Sequence, residues 1–169
     1  INDGDINVVA GDDGINVAGG NDGSASGHFP GAQSSSSSDF YLIINGGYIV
    51  VNAVGDGLDA NGSIEMTGGT VLVNGPTAQM NGALDYDGSF NVSGGLLIAA
   101  GSAGMLQAPG TSSDQYSVVF RFDVTQSAGI LTHLQTEDGQ DLINFQPAKN
   151  FQALVVSSPA LKKGASYSF

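Results

Sequence analysis

The chain has 169 residues, a formal net charge of -12 and no cysteine. That length holds one or two small domains with a real core, and the missing cysteines exclude a disulfide framework or a thiolate metal site. All four basic residues (Arg121, Lys149, Lys162, Lys163) lie beyond position 120, whereas residues 1–120 hold twelve Asp/Glu and no Lys or Arg. Such a stretch excludes ordinary nucleic-acid binding, because phosphate needs Lys or Arg.

No apolar run approaches the ~20 residues of a membrane span. The hydrophobic fraction of 41% is organised along the chain and argues against disorder. The first residue is not Met, so the chain reads as a mature product, or as a piece of something longer whose targeting segment is gone.

The first element is INVVAGDDGIN at 6–16, and it aligns with IVVNAVGDGLD at 49–59, an offset of 43. NDGSASGHFPGAQSSSSS at 21–38 interrupts this pattern and reads as an extruded loop. GGYIVVN at 46–52, GGTVLVN at 68–74 and GGLLIAA at 94–100 then recur at spacings of 22 and 26, the extra residues falling in the loop GPTAQMN at 75–81. Within each repeat the apolar pattern has period 2, bounded by Gly and Asn, which predicts strands and turns and not helices.

Short strands on such a repeat predict a parallel β-helix or solenoid spanning 1–115. Its turns would stack at ~4.8 Å, with interior ladders of Ile49, Val71 and Leu97 and of Ile64 and Phe90. From Tyr116 the character changes. YSVVFRFDV, ILTHLQTEDGQDLINF and FQALVVSS predict antiparallel strands with a DG turn at 138–139, an expected C-terminal β cap over 116–169. Ile1 enters the repeat almost directly, so the expectation at that end is further coils upstream or another molecule covering it.

The acids have their own pattern. GDGLDANGS at 55–63 and GALDYDGS at 82–89 align at an offset of 26. Alternation turns Leu58, Ala60, Leu84 and Tyr86 inward, and Asp59, Asn61, Asp85 and Asp87 outward. Carboxylates one above another repel unless something positive lies between them. GDDGIN (Asp12, Asp13, Asn16) and GDGLD (Asp56, Asp59) repeat the Asp-x-x-Asp/Asn spacing. Oxygen ligands alone suit a hard cation, calcium in preference to magnesium. Zinc would prefer His or Cys, and the only histidines are His28 and His133. The competing reading is that Asp and Asn simply make the turns. Neither an EF-hand loop nor the GGxGxDxUx calcium repeat is present. The partial GxGxxA at 55–60 precedes no predicted helix and is no dinucleotide site.

DDGINVAGGNDGS, INGGYIVVNAVGDGLDANGSIEMTGGTVLVNGPT, NGALDYDGSFNVSGGLLIAAGSAGMLQAP and the ending YSVVFRF…LVVSSPALKKGASYSF together resemble a family of secreted bacterial carbohydrate-binding domain proteins. The resemblance covers almost the whole chain, placed as the C-terminal portion of longer members. It implies an all-β right-handed parallel β-helix related in fold to pectate lyases, at the cell surface or secreted, with bound Ca2+ and affinity for cellulose-like or acidic plant polysaccharides. It carries calcium ligation onto Asp13, Asn16, Asp56, Asp59, Asp85 and Asp87, and it assigns no individual sugar-binding residue.

Three functions are therefore weighed. One is a non-catalytic, calcium-dependent polysaccharide binder, in which a sugar carboxylate completes the ion's shell. Tyr41 or Tyr48 could stack on sugar faces there, against the plainer reading of half-buried strand residues. The second is an enzyme. β-helix lyases use Arg or Lys as base, which the repeat region lacks, and a hydrolase needs two carboxylates at a set separation. His28 and His133 have no visible nucleophile partner, and the expectation is no catalysis. The third is a structural subunit that self-associates end to end into an extracellular filament.

Overall fold

The computed structural model describes residues 1–17 and 40–169. The loop expected over 21–38, with His28, lies outside the described residues. Fifteen strands form four sheets among the described residues. They are β1 Asp5–Ala10, β2 Ile15–Val17, β3 Tyr41–Ile44, β4 Tyr48–Ala53, β5 Leu58–Ala60, β6 Ser63–Met66, β7 Thr70–Asn74, β8 Leu84–Tyr86, β9 Phe90–Val92, β10 Leu96–Gly101, β11 Ser117–Gln126, β12 Thr132–Thr136, β13 Asp141–Phe145, β14 Phe151–Ser157 and β15 Tyr167–Ser168. Among the described residues, no helix is long and apolar enough to cross a membrane.

Two small parallel sheets run β2-β5-β8 and β3-β6-β9. A mixed six-stranded sheet runs β1-β4-β7-β10-β14-β11, parallel as far as β10 and antiparallel beyond it. The sequence offsets reappear as strand registers: Ile6 beside Ile49, Ile49 beside Val71, Val71 beside Leu97, and Ile64 beside Phe90. Period-2 alternation sends Ile49, Val51, Val71, Val73, Leu97 and Ala99 into a core shared with Leu58, Leu84, Ile64 and Phe90.

The doubled glycines are explained by backbone geometry. The second glycine of each pair has positive φ (Gly47 94°, Gly69 85°, Gly95 89°), the left-handed region that side chains avoid. Strands crowd closely at Gly57, just before β5. A Cβ there would lie 2.3 Å from the Ala83 carbonyl oxygen and 2.4 Å from a Val73 methyl. Gly57→Ala must therefore push two strands apart, and about 2–3 kcal/mol of lost stability is expected, as for an overpacked core. Urea unfolding with the slope held fixed would measure it, and a midpoint equal to that of the parent would contradict this packing.

The expectation of a right-handed parallel β-helix (solenoid) closed by a C-terminal antiparallel β cap is corrected. The chain is an all-β assembly of several sheets, not a single solenoid. β14 and β11 hydrogen-bond into the same sheet as the repeats, with Leu97 opposite Ser157 and Ala100 opposite Leu154. The third small sheet, β13-β12-β15, is antiparallel and covers the other face of that six-stranded sheet. There Ile98, Ala100, Leu154 and Val156 pack against Leu134, Ile143 and Phe145 in a second core.

The physical reason lies in GGLLIAA. This run does not alternate, because Leu97 and Ala99 face one core while Leu96, Ile98 and Ala100 face the other. A strand buried on both faces is apolar throughout. The DG turn does form: Gly139 has positive φ, and its amide donates to the Thr136 carbonyl at 3.0 Å.

Candidate functional site

The carboxylates sit on the outer face of the β2-β5-β8 sheet and in the turns before it. Parallel pairing puts Asn16 beside Asp59 and Asp59 beside Asp85. Their strand neighbours Leu58, Ala60 and Leu84 are buried, as alternation requires. Tyr86 is half-buried: its hydroxyl donates to the Ala108 carbonyl at 2.8 Å, and its ring meets Phe90 edge-on at 6.0 Å.

Neutral amides bridge most of this row. Asn16 Nδ2 donates to Asp59 Oδ2 at 2.7 Å and to Asp13 Oδ2 at 3.1 Å. At the other end Gln107 Nε2 donates to Asp85 Oδ1 at 3.3 Å. Two of the acids also serve the turns. Asp13 Oδ1 accepts from the Asp56 amide at 2.8 Å, and Asp56 Oδ1 accepts from the Gly82 amide at 2.5 Å. The turn-making reading is thus correct for one oxygen of each. Asp87, at the end of β8, is exposed.

No bridging amide joins Asp59 to Asp85 among the described residues, although these two are direct neighbours across the strands. Burial is the main reason the Asp59 carboxyl is pushed up to about 7, with Asp13, Asp56, Asp85 and Asp87 adding repulsion. Burial likewise pushes Asp56 up to about 6, against the Gly82 amide, which lowers it, and with Asp85, Asp13 and Asp12 raising it further. Asp85 is raised by burial and by Asp87. No Lys or Arg lies within ion-pair distance of these acids, and the one ion pair among the described residues is His133 Nε2 with Asp141 Oδ1 at 2.7 Å.

The six sequence-derived positions are therefore close in space but not equivalent. Asp59 and Asp85 form the unbridged pair, flanked by Asp13, with both oxygens engaged, and by Asp56, with one engaged. Asn16 points its amide hydrogens at the acids, so it bridges as a donor. Asp87 contributes charge from the rim. Among the described residues, no group of three or more His, Cys, Asp or Glu converges in a way that could hold a metal ion. Asp59 and Asp85 are thus two carboxylates on adjacent strands with no positive side chain between them among the described residues.

Two residues escaped the sequence reading. Gln107 lies 22 positions after Asp85, so the repeat spacing itself could have found it as the fourth member of the column. Lys149 had no local signal: its ammonium donates to the Ala53 carbonyl at the end of β4, 96 positions away. Burial holds the Lys149 ammonium below its usual range. Tyr41 and Tyr48 are strand residues 55% and 48% exposed, in line with the half-buried reading.

Fold and site together define an all-β protein of stacked parallel strands that carries an acidic row bridged by amides. Compared with family models, curated proteins and solved structures, the chain matches none.

Proposed function

We propose that the chain is a non-catalytic, calcium-dependent binder of extracellular polysaccharide, acting outside the cell or at its surface. The observation that carries this reading is the Asp59–Asp85 pair, in register on neighbouring strands and without a basic or amide bridge. A divalent cation held by the two carboxylates relieves their repulsion. Because the protein supplies few ligands, the ion keeps positions open for oxygens from outside, and a uronate carboxylate is the best charged match. The exposed Tyr41 and Tyr48 add aromatic surface on which sugar rings can rest.

Calorimetric titration with calcium tests the first half. Asp59→Asn is expected to weaken calcium binding about tenfold or more, the scale of losing one charged ligand. Asp123→Asn, an exposed acid on β11, should change it little. Equal effects would remove the assignment. Retention of the protein on immobilised polygalacturonate, with calcium and then with chelator, tests the second half. Retention that ignores chelator would separate sugar binding from the acidic row.

A further inference from the structure

β11 forms one edge of the six-stranded sheet. It is the longest strand among the described residues, ten positions from Ser117 to Gln126. Its ladder to β14 runs from Ser117 to Arg121 and then breaks until Gln126. Its other side pairs with no described strand. A long edge with unpaired backbone donors and acceptors is a template for another strand.

Proteins often guard such edges with charge, and β11 carries Arg121 and Asp123. Both are exposed, and neither forms an ion pair among the described residues. Alternation places them on one side of the strand with Val119 and Thr125. A guard of a single sign repels every copy of itself. An Arg and an Asp two positions apart do the reverse. When two such strands run antiparallel about Phe122, Arg121 of each lies opposite Asp123 of the other, a favourable cross-strand pair. The same register sets Val119 opposite Thr125 on that side. On the other side it sets Phe120 opposite Val124, and Phe122 opposite its own counterpart. Val124, 68% exposed in the single chain, thereby gains an apolar neighbour. The two rings are already fixed: Phe120 stacks on Phe169 at 4.1 Å, and Phe122 meets Phe151 edge-on at 5.6 Å.

The charge distribution favours the same edge. β1, at the opposite edge, begins at Asp5 and belongs to residues 1–120, which hold twelve acids and no base. Copies meeting there bring like charges together. Beyond position 120 the four bases match the four acids. We propose that the chain forms a two-fold dimer by antiparallel pairing of β11 with β11 of a second copy, which joins the two six-stranded sheets into one. Such an interface is isologous and closes at two copies. It does not rest on the polysaccharide reading.

The test is analytical ultracentrifugation of the whole chain over a concentration series, in chelator so that calcium cannot bridge acidic rows. The mass is expected to rise from the 17.0 kDa of one chain toward twice that and no further. Arg121→Asp and Asp123→Arg should each weaken dimerisation about tenfold or more, because each sets like charges opposite one another. The double exchange, Arg121→Asp with Asp123→Arg, should restore it, a recovery that no folding defect can imitate. Val119→Cys with Thr125→Cys reads the register. The chain has no other cysteine, and the two positions lie too far apart along one strand to bond to each other. Oxidation should therefore give a disulfide-linked dimer. A mass of one chain at every concentration, growth past two copies, or single reversals without effect would each overturn the assignment. So would a double exchange no better than either single, or a cysteine variant that does not cross-link.

Discussion

In a calcium chelator the protein should become more heat-stable as pH falls from 8 to 5. Burial pushes the pKa values of Asp59 and Asp56 in the folded chain up to about 7 and about 6, above the ordinary carboxylate value of 3.8. Between roughly pH 4 and 7 the folded chain therefore holds protons that the unfolded chain has released. Stability is fully present below the unfolded value and is lost as pH rises through the folded ones. Because the row is half open to solvent, screening reduces the effect to about 1–2 kcal/mol.

Saturating calcium should flatten this slope, since the ion binds the ionised pair and supplies the missing positive charge. Asp59→Asn should act in opposite directions on the two states: melting at pH 8 rises in chelator, and the stabilisation by calcium shrinks. Melting curves at several pH values, with and without calcium, read all three outcomes. A profile in chelator that is level from pH 5 to 8 would mean the acids do not repel as described.

A larger effect is expected on the outer face of the six-stranded sheet. Ile98 points away from the first core, and in a strand with one wet face an aspartate there would be harmless. Here Ile98 is 3% exposed and packs in the second core with Leu134, Ile143 and Phe145. Ile98→Asp buries an unpaired carboxylate and should cost about 4 kcal/mol or abolish folding, while Ile98→Ala should cost about 2–4 kcal/mol. Val9 lies on β1 of the same sheet but is 80% exposed. Val9→Asp should stay within about 0.5 kcal/mol. Denaturant midpoints of the three variants would decide it, and a tolerated Ile98→Asp would remove the second core.

Strand positions and register were legible because the offsets of 43, 22 and 26 are short-range facts written into the chain. Leu58 and Leu84, and Asp59 and Asp85, are found side by side as those offsets require. What covers the sheet was not legible. The pairing of β10 with β14 joins residues more than fifty positions apart, and nothing local in FQALVVSS says which edge it will seek. The lapse of alternation in GGLLIAA was the available sign of a doubly buried strand, and an end cap does not account for it. The offset put Asp59 and Asp85 side by side on one sheet, with Asp13 and Asp56 in the turns before it. Their division of labour was not readable, because it depends on which oxygen each turn amide takes, a matter of ångströms and not of spacing.

The fold-back of residues 132–157 over β10 has a consequence for the chain as it is made. When a ribosome has delivered the repeats but not yet β14, Leu96 and Ile98 face water and the β10 edge is unpaired. A nascent chain of that length displays a sticky, edge-open sheet of the sort that associates with its neighbours before it can finish. Lys149 on Ala53 and Asn74 on the Ala148 amide then act as late fasteners, fixing the returning segment over sheet ends synthesised long before. Stalled or clipped products ending between β10 and β14 should therefore be the forms that a cell's quality-control machinery meets most often.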